Sequence, residues 1–503
     1  MEGRLTKIPT GVPGLDEILL GGLVRDGFYL VQGDPGSGKT TLALQYLHSR
    51  AKAGERCLFI SLTESRRDLD NIAASHGWSM EGVEICDLVR PASAVETEPS
   101  VYHPSDTELG DIVKAVAAQV ERVKPAHVVF DGVSELRLVS GDPLRYRRQL
   151  LWLKEFFAPK GITVMLLDDR SSPFGGMQPE SLVGGNIVLE RSLPVYGRAR
   201  RRLSVTKVRA ASFREGYHEY DILTGGLVVH PRIVASEHHD RFSPRVTASG
   251  IKHLDDMLEG GLANGTTTLL LGPAGVGKST VSMQYVVNAL ASGQKAAVYI
   301  FDEVMGTLIE RSEKLCLRKE GGLRSYITDG VLHLQQIDPA EMTAGAFAQE
   351  VRRAVDAGAS IIVIDSLNGY MNAMPEEKFL TTHLHELFAF LNQKGVTTIM
   401  VVAQHGLVVG AGPTGDLDVS YLADTVLLFR YFEARAEIHQ AISVFKHRTG
   451  PHERSLRQLK VDRSGVQVGE KLTDFSGIIT GVAHYEGKAA MLKDRTRDEP
   501  GSR

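Results

Sequence analysis

Two octapeptides, GDPGSGKT at residues 33–40 and GPAGVGKS at 272–279, share the spacing G-x-x-x-x-G-K-[ST]. Such a loop works only where a strand delivers it and a helix leaves it. Its glycines turn consecutive backbone N–H groups inward, and the helix adds its positive end. Both copies have that setting: FYLVQG and TTLLLG precede them, TTLALQYLHSRAKAG and STVSMQYVVNALASG follow. A strand, a glycine loop and a helix, met twice, commit most of the chain to α/β architecture.

The duplication reaches well past the loops. GVPGLDEILLGGL (11–23) aligns with GIKHLDDMLEGGL (250–262) at an offset of 239, which also maps Lys39 onto Lys278 and Glu64 onto Glu303. The offset shrinks to 234 for VVFDGV (128–133) beside IVIDSL (362–367), then returns to 239 for SLVGGNIVLER (181–191) beside SYLADTVLLFR (420–430). One insertion balanced by one deletion, with feature order unchanged, is a tandem domain duplication. In each half, near-continuous apolar runs (HVVFD and ITVMLL; IIVID and TTIMVV) alternate with helical segments. That pattern predicts mostly parallel sheets covered by helices on both faces. RRRLSVTKVR and QAISVFKHR predict antiparallel edge hairpins.

The expected domains are 1–235 and 250–482, joined by a linker at 236–249 and followed by a flexible tail at 483–503. The polar stretch VVHPRIVASEHHDRFSPRVTASG suggests the boundary, and its His238-His239 pair reads as solvated linker because no further ligands stand nearby. At 503 residues the chain is too long for one core. A net charge of −4 supplies no global positive field for nucleic acid or anionic membrane. No apolar run approaches the roughly 20 residues that span a bilayer, and MEGRLTKIPT is not a signal peptide, so a cytoplasmic location is expected. Cys57, Cys86 and Cys316 share no metal spacing and read as reduced structural residues.

The loops define two candidate ATP sites. Gly33, Gly36, Ser37, Gly38, Lys39, Thr40 and Thr41 form the first cradle, and Gly272, Gly275, Val276, Gly277, Lys278, Ser279 and Thr280 form the second. Lys39 and Lys278 would reach the β/γ phosphates, while the hydroxyls of Thr40 and Ser279 would ligate Mg²⁺. Asp131 and Asp365 end apolar strands, where a carboxylate can hold that metal or its water. Just after the second strand come Thr63-Glu64 in one half and Asp302-Glu303 in the other. Glu64, Asp302 and Glu303 are candidate catalytic acids, since a carboxylate there can polarise the attacking water or hydroxyl.

Late in each half stands a Lys-x-Arg pair, Lys207 with Arg209 and Lys446 with Arg448. Solvated strands, a nucleic-acid stripe or cations inserted beside a neighbour's γ-phosphate would all suit such pairs. Their survival at the repeat offset favours the last. HELF (385–388) has Ala389 where a zincin's second histidine would stand, and PEEK (375–378) reads as a helix start.

With two such halves, an acid-tipped second strand and a late Lys-x-Arg hairpin, the chain resembles the KaiC family of circadian-clock ATPases. SHGW (75–78), NIVLER (186–191), ADTVLLFRYFEAR (423–435) and FKHRTG (445–450) extend the likeness over nearly the whole chain, to about residue 480. The resemblance implies two RecA-like P-loop NTPase domains and a homohexamer with ATP between adjacent subunits. It also implies a slowly hydrolysing first half, a self-phosphorylating second half and a KaiB-like partner. The family's paired glutamates fall on Thr63-Glu64 and Asp302-Glu303. Thr63 cannot act as a base, which leaves first-half hydrolysis to Glu64 or a repositioned water, and Asp302 is one methylene shorter. The family's phosphorylated serine and threonine fall on Ser420 and Tyr421. Ser420 is the candidate phosphoacceptor, and Tyr421 reads as a packed strand-edge aromatic. Two alternatives stand beside this reading: a nucleotide-gated scaffold with little catalysis, and a RecA-like DNA motor.

Overall fold

The computed structural model describes residues 6–88, 104–170, 179–195, 197–313, 322–338, 340–372, 380–404, 420–434, 436–462, 465–479 and 483–486. Cys316, the PEEK stretch and the expected tail beyond residue 486 lie outside the described residues. The chain divides into two units, Met1–Arg232 and Ile233–Arg503.

Among the described residues the first unit is built on a nine-stranded sheet. Its order runs Gly226–His230, Tyr217–Leu223, Arg200–Val208, Gly185–Ser192, Phe28–Gly33, Thr163–Asp169, His127–Asp131, Cys57–Ser61 and Val83–Asp87. The last six are mutually parallel, and the first three add antiparallel edges. The second unit repeats the plan. Its order is Leu332–Gln336, Lys295–Ile300, Ala359–Asp365, Thr397–Ala403, Thr267–Gly272, Thr425–Ala434, Glu437–His447, Arg457–Asp462 and Gly465–Lys471.

The continuous apolar runs explain the layering. Successive side chains of a strand point to opposite faces, so a strand covered on both sides must be apolar throughout. Leu30, Val128 and Leu166 pack in one cluster, while Val31, Val129 and Leu167 pack in another on the reverse face. The helix Lys39–Lys52 covers that reverse face with Leu42, Leu44, Tyr46 and Leu47, all buried. Gln45 is buried too, and its amide exchanges hydrogen bonds with the backbone of Leu227 on the edge strand. The helix leaving each loop is thereby fixed to its own sheet.

The stretch expected as a linker, 236–249, carries fixed contacts of the second unit. Just ahead of it Ile233 is buried in that unit's core, and within it His238 packs edge-on against Phe390 and Asp240 pairs with Lys394 at 2.7 Å. Val246–Thr247 forms a short antiparallel pair with Leu262–Ala263. These contacts, with buried Thr247 and Ser249, tie the polar stretch to the second unit. Likewise His484–Tyr485, at the start of the expected tail, pairs with Phe475–Ser476. Cys57 and Cys86 are buried, unbridged thiols. No helix among the described residues is long and apolar enough to cross a membrane.

Candidate functional site

Each glycine loop leaves the C-terminal end of a central strand and enters a helix at its lysine. Gly38 (φ +98°) and Gly277 (φ +102°) take left-handed backbone at the turn into the helix. A methyl group on Gly38 would also meet the Ile222 side chain at 2.7 Å, so only glycine fits. Lys39 Nζ donates to the carbonyls of Gly33 (2.8 Å) and Asp34 (3.2 Å) and pairs with Asp169 at 2.6 Å. Lys278 Nζ donates to Gly272 (2.7 Å) and Pro273 (2.6 Å), and burial lowers its pKa to about 8. Asp169 has Ala403 as its counterpart, so the carboxylate beside the first lysine is missing from the second.

The residues assigned to the metal come together in both units. Thr40 Oγ1 donates to Asp131 Oδ2 at 3.3 Å, and Ser279 bonds the Asp365 carboxylate. Burial pushes Asp131 up to about 6, with Thr40 and Lys39 opposing the shift and Glu64 adding to it. Burial likewise raises Asp365. Tyr220 OH donates to the Ser37 carbonyl at 2.5 Å, bracing the first loop from the strand next to the edge. The Ser37 hydroxyl is buried and finds no partner among the described residues. A cradle of turned amides, an orphan hydroxyl and a buried carboxylate bonded to the helix-start hydroxyl fit a magnesium-bound triphosphate. Bound there, Mg²⁺ would neutralise the buried carboxylate and polarise the phosphoryl oxygens.

The acids after the second strand differ between units. The amides of Thr63 and Glu64 share Ser61 Oγ (3.3 and 2.9 Å), and among the described residues no side chain bonds the Glu64 carboxylate. In the second unit, Asp302 accepts a hydrogen bond from Ser366, and Glu303 pairs with Arg311 at 2.9 Å. At the repeat offset Arg311 corresponds to Ile72, which packs against the first unit's core.

The Lys-x-Arg pairs stand away from their own loops. Gly33 lies level with Leu189, whereas Lys207 lies opposite Asn186. Three residues at about 3.3 Å each put the lysine roughly 10 Å down the strand, toward the far end of the sheet. There Lys207 donates to the Glu180 carbonyl (2.8 Å) and Arg209 to that of Ser181 (3.1 Å). In the second unit Lys446 donates to the carbonyls of Ser420 (2.9 Å) and Ala423 (2.7 Å), and Arg448 stands 3.5 Å from Asp424. Ser420 opens a short 3₁₀ turn, Ser420–Leu422. Tyr421, read from sequence as packed, is 52% exposed instead, because Leu422 and Ala423 take the buried positions.

Asp169, Arg311 and Tyr220 touch or flank these sites without having been singled out. The acid pair closing VMLLDD was a visible signal for the first. Arg311 stands eight residues beyond Glu303, two helical turns away, and such spacing is a weak signal. Tyr220 gave none.

Parallel-sheet cores with a phosphate loop at the strand end, a bonded hydroxyl–carboxylate pair beside it and the whole unit repeated define a tandem RecA-like P-loop NTPase. The family model for the KaiC ATPase matches residues 8–233 and again 247–473, and the chain belongs to that family. Relatives match it almost end to end. The circadian clock oscillator protein KaiC of Parasynechococcus marenigrum (strain WH8102) is 24% identical over 502 residues, covering 96% of this chain and 94% of its own length. The protein of that name from Thermosynechococcus vestitus is 24% identical over 483 residues, covering 95% and 92%. The circadian clock protein KaiC3 of Synechocystis sp. is 23% identical over 501 residues, covering 97% and 96%.

Proposed function

We propose that this chain is a cytoplasmic ATP-hydrolysing and self-phosphorylating protein with a timing or signalling role, assembled as a homohexamer that holds each ATP between adjoining copies. One observation carries the assembly: each unit keeps its phosphate loop and its Lys-x-Arg pair at opposite ends of one sheet. Cations that cannot reach their own loop are suited to a neighbour's. Lys207 and Arg209 would serve the adjoining first-unit nucleotide, and Lys446 and Arg448 the adjoining second-unit one. Mg²⁺ would be held by Thr40 with Asp131 and by Ser279 with Asp365.

Glu64 is the acid for first-unit hydrolysis, and Asp302 with Glu303 serve the second unit. Ser420 is the acceptor. Lys446 donates to its carbonyl, so phosphate on its hydroxyl would form beside a cation of the same chain. A KaiB-like protein is the partner expected by family likeness. Native mass spectrometry with Mg²⁺-ATP and with ADP, followed by phosphosite mapping, tests the whole reading. Six-copy rings with ATP and phosphate on Ser420 are expected. A monomer at saturating ATP would refute the assembly, and an unchanged mass after long incubation would refute the kinase.

A second reading, a nucleotide-gated scaffold with little catalysis, draws on the acids of the second unit. Asp302 bonded to Ser366 and Glu303 paired with Arg311 are both engaged by their own chain. Background phosphate release with ATP-dependent assembly intact would favour that reading.

A further inference from the structure

We propose that the first unit carries its own phosphoacceptor, Ser181, which takes a phosphoryl group from ATP held in the first-unit loop of an adjoining copy. This inference rests on the self-phosphorylating hexamer described above and extends it to the other half of the chain.

At the repeat offset, Ser181 is the counterpart of Ser420, and Lys207 and Arg209 are the counterparts of Lys446 and Arg448. The fold puts both serines in a 3₁₀ turn ahead of equivalent strands, with the two turns offset by two residues. Ser181 closes a 3₁₀ turn, Pro179–Ser181, just ahead of the strand Gly185–Ser192, and Ser420 opens a 3₁₀ turn just ahead of Thr425–Ala434. Each of those strands runs parallel beside its phosphate-loop strand. In the first unit both cations bond the turn, Lys207 at the carbonyl of Glu180 and Arg209 at that of Ser181; in the second, Lys446 bonds the carbonyls of Ser420 and Ala423 while Arg448 pairs with Asp424. Leu182 and Val183 anchor the turn in the core while Ser181 itself is exposed.

The donor cannot be the loop of the same unit. Gly185 is level with Tyr29 and Leu189 with Gly33, so the strand alone separates Ser181 from its own loop by about 13 Å. An arrangement of copies that brings Ser420 to a neighbour's second-unit nucleotide would bring Ser181 to the first-unit one if the first units pack alike. Transfer forms the bond from Ser181 Oγ to the γ-phosphorus and breaks the bond from that phosphorus to the β–γ bridging oxygen. ADP leaves, and the hydroxyl proton passes to solvent late in a loose transition state. The product phosphate would sit beside Lys207 and Arg209, two cations that compensate its charge.

Phosphatase-treated full-length protein is incubated with Mg²⁺-ATP and its phosphosites mapped in the wild type and in Ser420→Ala, Ser181→Ala, Lys39→Ala and Lys278→Ala. Phosphate on Ser181 is expected in the wild type, retained in Ser420→Ala and Lys278→Ala, and lost in Lys39→Ala. Phosphate on Ser420 alone would overturn the inference while leaving the self-phosphorylating reading intact. Phosphate on neither serine would overturn both. Phosphate on Ser181 that survives Lys39→Ala would mean a different donor and would also overturn the inference.

Discussion

Asp131 places a carboxylate in the first unit where burial penalises its charge, and replacing it with asparagine should make the nucleotide-free protein more stable. The carboxylate is 7% exposed, and burial raises its pKa from 3.8 to about 6. At 1.36 kcal/mol per pH unit, that rise corresponds to at most about 3 kcal/mol of folding free energy. The folded state holds the proton more tightly than the unfolded one. The penalty is therefore fully present above pH 6, shrinks as pH falls through that value, and is gone below about 4. The asparagine amide would keep a partner for Thr40 without the buried charge.

Both tryptophans, Trp78 and Trp152, belong to the first unit, so thermal melting followed by tryptophan fluorescence reports that unit selectively. For a unit of this size each kcal/mol shifts Tm by roughly 2–4 °C, so Asp131→Asn should melt above wild type at pH 8, by up to roughly 6–12 °C. The two should converge near pH 4. Adding Mg²⁺-ATP should reverse the order, because wild type gains binding free energy at this site and the variant does not. A variant that melts below wild type at pH 8, or above it by the same margin at both pH values, would refute the reasoning.

Three further outcomes are expected. With Lys278 lowered to about 8 by burial, nucleotide binding at the second unit at pH 8.5 should take up about 0.7 proton, and little at pH 6.5. Calorimetry of Lys39→Ala in buffers of different ionisation enthalpy measures it, and a buffer-independent heat would rule it out. Arg311→Ala should release Glu303, and in the Lys39→Ala background raise kcat about two- to five-fold at unchanged KM, with Arg311→Lys intermediate. A fall in kcat would show that the ion pair assists turnover. Tyr220→Phe leaves the Ser37 carbonyl short of its donor and should weaken nucleotide binding at the first loop about 5- to 10-fold. Tyr431→Phe, which removes only a 3.4 Å contact to Ala274, should change second-loop affinity less than about two-fold; equal effects would count against the bracing role.

The sheets and loops were legible because their signals are local. An apolar run such as HVVFD can only be a strand covered on both faces, and the glycine spacing states its own geometry. Partners that arrive through the fold were not legible. Ser366 reaches Asp302 across 64 residues, and Asp169 reaches Lys39 only because Thr163–Asp169 pairs with the loop strand. The contacts of His238 with Phe390 and of Asp240 with Lys394 within 236–249 likewise span about 150 residues and left no local signal.

The sheet register adds what no motif shows. Strands of a parallel sheet all end on the loop side, and an antiparallel hairpin leaving that side returns its later residues to the opposite end. The Lys-x-Arg pairs sit on that return in both units, and in each a cation of the pair bonds the carbonyl of a turn serine. The differences gather at the loop end: Asp169 against Ala403, Ile72 against Arg311, Thr63 against Asp302. The halves have thus diverged at the loop end of the sheet and stayed alike on the basic return at its opposite end.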